Sequence, residues 1–378
     1  MYIPQYWLNS LQDYSWSHKV IVILGPRRTG KTTLLNHLLQ HEQNYLFVSG
    51  EDIDVRSYLE SQSITKLKSF IGKHSLLVID EAQKIAQVGL NLKLIVDHIP
   101  EVRVIVTGSS AFDLAKQVGE PLTGRKITFP MFPLSQLELG PLETPAQTRG
   151  NLELRLIYGS YPEVILTPDL KAKQAYLHEL VSSYLYKDIL ELEGIRKASH
   201  IPQLLQLLAL QLGREVSHQE LGQQLGMNRR TVERYLDLLE KTFVIINLRG
   251  FSRNLRSEVT KMSRYYFYDL GIRNAIINQF NPLSLRSDIG ELWENYIVIE
   301  RLKKQAYHQI LSHNYFWRTY EQQEIDWVED REGILHGYEI KWQKPSRVKE
   351  PSAWRTAYPE SVFEVIHRDN YLKFIAED

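Results

Sequence analysis

The 378-residue chain contains no cysteine. Disulfides, thiolate metal sites and thiol nucleophiles are therefore excluded. It also has no net charge, because 45 Lys and Arg cancel 45 Asp and Glu. No global field draws it toward nucleic acid or a membrane surface. Its apolar runs are strand-sized, far below the roughly 20 residues of a membrane span. The start, Met1-Tyr2-Ile3-Pro4-Gln5, lacks the charged and apolar regions of a signal peptide. A cytoplasmic protein with no membrane partner is expected. Internal repeats and low-complexity tracts are missing too, and the length predicts two to four domains with ample core.

What is present begins with a phosphate-binding loop. Gly25-Pro26-Arg27-Arg28-Thr29-Gly30-Lys31-Thr32 follows the apolar run Val20–Leu24 and precedes a helical pattern from Thr33 to Leu39. Strand, loop and helix in that order are the context this motif requires. The glycines let backbone N–H groups converge on a triphosphate, and the helix N-terminus adds a favourable field. Residues Gly25 to Thr33 are the expected ATP contacts. Lys31 is expected to reach the β- and γ-phosphates, and the Thr32 hydroxyl to ligand Mg²⁺.

A second apolar run, Leu76–Ile79, ends in Asp80-Glu81. It fits a parallel strand buried on both faces. Asp80 is placed to hold Mg²⁺ through water, and Glu81 to activate the attacking water as a general base. Further strands are expected at Tyr45–Ser49 and Val102–Val106. The latter leads into Thr107-Gly108-Ser109-Ser110, at the strand end where ligands of open α/β sheets sit. Ser109 is the candidate γ-phosphate sensor, with a cap for a helix over Ala111–Val118 as the compatible alternative. Arg125 is either an arginine finger, acting on a neighbouring subunit, or a solvated surface cation.

Pro- and Gly-rich sequence from Phe129 to Pro145 closes this first domain, placed at 1–145. A helical lid is expected over 146–198. Residues 199–275 read as a winged helix. Ser217-His218-Gln219-Glu220 has capping-box spacing, and Asn228 can cap a helix from Arg229 to Leu239 whose Val232, Tyr235, Leu236 and Leu239 share one face. Arg229, Arg230, Thr231 and Arg234 lie at the end that would meet a DNA groove. Strands follow at Phe243–Leu248 and Tyr265–Tyr268, joined by a loop with Arg253, Arg256 and Lys261. From Met227 to Tyr265 nine cations (229, 230, 234, 241, 249, 253, 256, 261, 264) face four acids (233, 237, 240, 258). That local excess points to DNA phosphates, with protein packing as the alternative.

Residues 285–378 carry a second chemical pattern. Glu324-Ile325-Asp326-Trp327-Val328 alternates as a half-buried strand does, and a turn at 330–333 leads to Tyr338-Glu339-Ile340-Lys341-Trp342. Alternation sets Glu339 and Lys341 on one face. With Asp326 nearby, and Glu294 (or its rival Glu291) from the upstream helix, the set can hold Mg²⁺ or Mn²⁺ and a scissile phosphate, Lys341 positioning the water. The arrangement resembles the PD-(D/E)XK nucleases, in an active or a folded but inactive form.

Over nearly its whole length the chain resembles the prokaryotic AAA-type (AAA+) P-loop ATPases that carry a winged helix and a C-terminal nuclease-like domain of unknown function. Besides the segments above, the resemblance rests on Asp80-Glu81-Ala82-Gln83, Leu122-Thr123-Gly124-Arg125, Pro133-Leu134-Ser135, Tyr268-Asp269-Leu270-Gly271-Ile272 and Gly290-Glu291-Leu292-Trp293-Glu294-Asn295. Arg28 stands where the family usually has Gln, and Ser160 where a second Gly is common; neither removes a catalytic group. The resemblance implies an additional-strand α/β ATPase that forms homo-oligomers. The expected protein hydrolyses ATP and acts on DNA, with a nucleotide-switched interaction platform as the alternative.

Overall fold

The computed structural model describes residues 2–12, 18–109, 122–185, 200–252 and 262–377. The expected helix at Ala111–Val118, with Ser110, lies outside them, as do residues 186–199 and the loop cations Arg253, Arg256 and Lys261. Two compact units form: one from 1–133 with 241–243, the other from 134–240 with 244–378.

The first unit is built on five parallel strands: β1 (Val20–Leu24), β2 (Tyr45–Ser49), β3 (Leu76–Asp80), β4 (Arg103–Gly108) and β5 (Lys126–Pro130). Their order is β2-β3-β4-β1-β5. β4 thus stands between the strand before the phosphate loop and the strand before Asp80-Glu81, as the implied additional strand. β1 and β3 are nearly pure Val, Ile and Leu because each is covered on both faces. Helices α1 (Lys31–Leu39), α2 (Ile53–Leu59), α3 (Ile64–Ile71) and α4 (Val88–His98) belong to the same unit, as does a short helix at Trp7–Gln12. Leu59, Leu67, Ile71, Leu92 and Ile95 from these helices enter one apolar cluster with Val20, Val22, Leu77 and Ile79.

The second unit opens with helix α5 (Gln136–Leu139), capped reciprocally by Ser135 and Glu138. Gln136 N–H donates to Glu300 (2.7 Å), and Lys303 Nζ donates to the Leu134 carbonyl (3.1 Å). This gives the Pro133-Leu134-Ser135 segment a structural reason. The segment expected as a lid supplies α6 (Pro145–Tyr158), α7 (Pro162–Leu166) and α8 (Leu170–Glu179). Next come α9 (His200–Leu210), β6 (Glu215–Val216), α10 (His218–Leu225), α11 (Arg229–Lys241), β7 (Ile245–Gly250) and β8 (Ser263–Phe267). Helix α12 (Leu270–Ile276) begins at Asp269. That buried carboxylate accepts from Gly271 N (2.8 Å), Ile272 N (3.2 Å) and Ser160 N (2.7 Å), and burial raises its pKa to about 6. Then follow α13 (Ile289–Tyr307), β9 (His313–Arg318), β10 (Glu324–Arg331), β11 (Ile334–Ile340), α14 (Ser352–Ala357), β12 (Val362–Ile366) and α15 (Tyr371–Ile375).

The segments expected as lid, winged helix and nuclease-like domain share one apolar core, with Leu156, Leu177, Leu205, Leu239, Tyr266, Trp293 and Trp327 in a single cluster. The latter two also share one sheet. Its order is β12-β11-β10-β9-β7-β8-β6, and β7 joins β9 in parallel through Arg249↔Tyr315 and Gly250↔Phe316. Among the described residues no helix is long and apolar enough to cross a membrane.

Candidate nucleotide site and a second carboxylate cluster

Register assembles the first site. Leu24, the last residue of β1, pairs with Gly108 of β4, and Ile79 of β3 pairs with Val106. The loop after β1, the carboxylates closing β3 and the hydroxyls closing β4 therefore meet at one edge, the carboxyl end of parallel strands.

The phosphate loop packs against neighbouring backbone: a Cβ on Gly25 would run into the Met131 carbonyl. Thr29 Oγ1 donates to Pro26 O (2.8 Å). Gln5 Nε2, from far upstream, donates to the Thr29 and Gly30 carbonyls (both 3.1 Å) and braces the loop from outside. Lys31 is buried, and its Nζ donates to the carbonyls of Gly25 (2.9 Å) and Pro26 (2.7 Å). Burial lowers its pKa to about 8, against the pull of Glu81 and Asp80. Arg27 is half-buried, whereas Arg28, at φ 63°, Thr32 and Thr33 are exposed.

Two short chains of polar groups surround the carboxylates. Thr32 Oγ1 donates to Asp80 Oδ2 (2.8 Å), and Thr107 Oγ1 donates to Asp80 Oδ1. Thr107 Oγ1 also accepts from Glu81 N (3.0 Å). Gln83 Nε2 donates to Glu81 Oε2 and to Ser109 Oγ (2.9 Å), and Ser109 Oγ donates to Glu81 Oε2 (3.3 Å). Glu81 adopts φ 54°, an uncommon left-handed conformation for a non-glycine residue, of the kind that recurs at functional sites. The exposed Thr32 hydroxyl beside Asp80 is a pair of hard oxygen donors, which suits Mg²⁺. Thr107, Gln83 and Gln5 also contact this site: Thr107 is among the hydroxyls from which Ser109 is chosen, Gln83 lies in the Asp80–Gln83 segment, and Gln5 is not a sequence candidate.

Arg125 lies elsewhere. It directly precedes β5, whose first residue Lys126 pairs with Val20 at the start of β1. It therefore occupies the amino end of the sheet, away from its own phosphate loop, and its Nε donates to Asp97 Oδ1 (2.7 Å).

In the second unit, α11 buries Val232, Tyr235, Leu236 and Leu239, leaving Arg229, Arg230 and Arg234 exposed. Arg229 Nε donates to Glu233 (2.7 Å), Thr231 N and Oγ1 donate to the Asn228 cap (2.8 and 3.0 Å), and the Arg234 guanidinium lies 5.5 Å from the Tyr235 ring centroid.

The C-terminal candidates do converge. β10 and β11 pair antiparallel, Trp327 opposite Tyr338, around a two-residue turn at Glu332-Gly333. Asp326 Oδ2 accepts from Ile340 N (2.9 Å), Lys341 Nζ reaches Glu339 (2.5 Å) and Asp326 (4.0 Å), and Tyr266 OH donates to Glu294 (2.6 Å). Glu291 instead pairs with Arg214 (3.0 Å). One more group, absent from the sequence expectation, stands among them: the buried Arg264 guanidinium of β8 contacts Glu324 (2.8 Å), Asp326 (3.3 Å) and Glu294 (3.7 Å). Burial, with Asp326 nearby, raises the pKa of Glu294 to about 8 and that of Glu339 to about 6. The expected Mg²⁺ or Mn²⁺ ligation by Glu294, Asp326 and Glu339 does not fit this arrangement. Their oxygens already face a guanidinium and an ammonium, and among the described residues no group of three or more His, Cys, Asp or Glu could hold a metal ion.

Comparison with known families follows the same division. Residues 17–140 match the family described as AAA domain, residues 149–283 a domain of unknown function (DUF8612), and residues 289–371 a domain of unknown function (DUF4143). The chain thus carries an AAA-type ATPase domain, which implies nucleotide binding, followed by a C-terminal DUF4143 domain. An uncharacterized protein of Mycobacterium tuberculosis is 27% identical over 328 residues, covering 85% of this chain and 70% of that protein. An uncharacterized protein of Methanocaldococcus jannaschii is 23% identical over 346 residues, covering 85% and 75%. A solved structure of Drosophila ORC bound to DNA aligns at a TM-score of 0.27 and 15% identity, covering 72% of this chain and 84% of that one.

Proposed function

We propose that this protein hydrolyses ATP at the carboxyl edge of the first sheet and uses the cycle to control a DNA-binding helix in its second unit. One observation carries the reading: Thr32, Asp80, Glu81, Thr107 and Ser109 are linked at that edge through hydroxyls and Gln83, beside the loop that holds Lys31. The N–H groups of residues 27–33 receive the phosphates, and Lys31 exchanges its two carbonyl partners for phosphate oxygens. Thr32 and Asp80 would hold Mg²⁺, which neutralises charge developing on the phosphates. Glu81, fixed by Gln83 and Ser109, orients the attacking water and accepts its proton. Arg125 serves as a finger only toward another copy, after leaving Asp97, because its own loop lies at the opposite end of β1. The second unit then acts by binding rather than by cutting, since Arg264 and Lys341 already occupy the centre of its carboxylate set.

Lys31→Ala should reduce steady-state phosphate release by about 10²-fold or more, the scale of a lost transition-state charge contact. Retention of half the wild-type rate would remove this site from the chemistry. On α11, Arg230 and Arg234 are the candidate phosphate contacts, because Arg229 is engaged with Glu233 and Thr231 with its cap. The helix order and the paired β7 and β8 support a winged-helix reading of this segment. An Arg230→Ala, Arg234→Ala double variant should weaken duplex DNA binding uniformly across sequences and lower the salt slope by about two. An unchanged slope would favour a protein partner for this face.

A further inference from the structure

The acidic cluster of the second unit contains a cation that belongs to the chain. Arg264 sits 60 and 62 residues upstream of Glu324 and Asp326, yet its side chain is only 6% exposed. One face of its guanidinium packs 4.7 Å from the Phe316 ring centroid. Its Nη atoms point at Glu294, Glu324 and Asp326, while Lys341 covers Glu339. Four carboxylates therefore share two cations.

We propose that Arg264 is an internal plug: its guanidinium takes the cation position of this carboxylate set, so that Arg264 and a divalent ion exclude each other. Arg264 comes from β8, whereas Asp326 and Glu339 come from β10 and β11, so the plug is supplied by the strand pair that follows the arginine-bearing helix. The exclusion is steric as well as electrostatic. A bound Mg²⁺ or Mn²⁺ needs carboxylate oxygens at about 2.0–2.2 Å, and oxygens it would use already accept from N–H donors at Glu324, Asp326 and Glu339 and from the Tyr266 hydroxyl at Glu294. With the guanidinium gone, Glu294, Glu324, Asp326 and Glu339 would face one another with Lys341 as the single remaining cation. Buried like charges at that spacing either take up protons or recruit a cation. Burial, with Asp326 nearby, already holds Glu294 and Glu339 above the usual carboxylate range.

The test is Mn²⁺ binding to the nucleotide-free full chain, read from the free-ion electron paramagnetic resonance signal. Wild type and Glu339→Gln should bind the same number of ions. Arg264→Gln, its fold checked by circular dichroism, should gain one site at least tenfold tighter than any in wild type, and the double variant should lose it. A wild-type site that disappears in Glu339→Gln would overturn the plug, as would a folded Arg264→Gln that binds no additional ion. The comparison of wild type with Glu339→Gln needs no change at Arg264, so the proposal stays testable even if that variant does not fold. Arg264→Lys, which keeps the charge without the fork, should fall between wild type and Arg264→Gln. None of these readouts depends on ATP turnover, so their failure is separable from failure of the ATPase reading.

Discussion

The carboxylates of the first unit face hydroxyls and an amide, whereas those of the second face a guanidinium and an ammonium. Asp80 accepts from Thr32 and Thr107, and Glu81 from Gln83 and Ser109. Neutral donors orient a carboxylate but leave its charge uncompensated, ready for a cation or a proton. Arg264 and Lys341 orient Asp326, Glu324 and Glu339 equally well, but they also offset part of their charge. Two sets with similar acidic composition thus differ in chemistry through the charge of their partners. The Asp-Glu and Glu-x-Lys patterns record only the carboxylates and the adjacent lysine; the rest of each partner set comes from elsewhere in the chain.

Matched substitutions in the two clusters should give opposite signatures. Asp80→Asn should lower phosphate release by about 10²-fold or more while moving the melting temperature little. Asp326→Asn removes a buried partner of Arg264 and should cost about 3 kcal/mol of stability, with phosphate release kept within about twofold. If Asp326→Asn instead abolished turnover in a stable protein, the two clusters would not be functionally distinct. A smaller effect concerns pH. Glu294 and Glu339 have folded pKa values above the ordinary carboxylate value, so the folded chain holds protons that the unfolded chain releases. Their contribution to stability is full below about pH 4.5 and is lost as pH rises toward 8. Glu294→Gln should flatten that decline, by about 3 kcal/mol between pH 5 and 8, in thermal melts across the range. Equal slopes in the two proteins would mean that Glu294 is ionised throughout.

The smallest effect belongs to Lys31. Its pKa of about 8 reflects burial without a counter-charge in contact, and phosphate oxygens should restore it. ATP binding near pH 8 should therefore take up a fraction of a proton, seen by calorimetry as a binding enthalpy that depends on the buffer's ionisation heat. No buffer dependence would place Lys31 already fully protonated in the free protein.

Much of the first unit was legible in the sequence. Strands at Val20–Leu24 and Leu76–Asp80 fall where the apolar runs placed them, because a doubly covered parallel strand has a nearly pure composition, and the half-exposed edge strand Tyr45–Ser49 falls where expected too. The caps at Ser217 and Asn228 also follow from local chemistry and hold their helices as expected. Gln5 was not legible, since nothing near it in sequence signals a contact with Gly30. Arg264 was counted among cations suited to phosphate contact, but its direction depends on how β8 and β10 lie in the folded sheet. The choice of Glu294 over Glu291 likewise depends on which way α13 turns against Tyr266. Local periodicity carries strands, helices and caps; side-chain partners 60 residues away are a property of tertiary packing.

The narrow seam between β7 and β9 has a practical consequence for dissecting this protein. Among the described residues, Arg249↔Tyr315 and Gly250↔Phe316 alone define the parallel pairing, with Phe251 N donating to Phe316 O just beyond it (2.7 Å). A recombinant fragment starting after β8 would leave one side of β9 uncovered, exposing the run Tyr315-Phe316-Trp317 as an aromatic edge. Unpaired edges of that composition associate with one another. Such a fragment should precipitate or self-associate, and its insolubility would then report a severed sheet rather than a domain unable to fold.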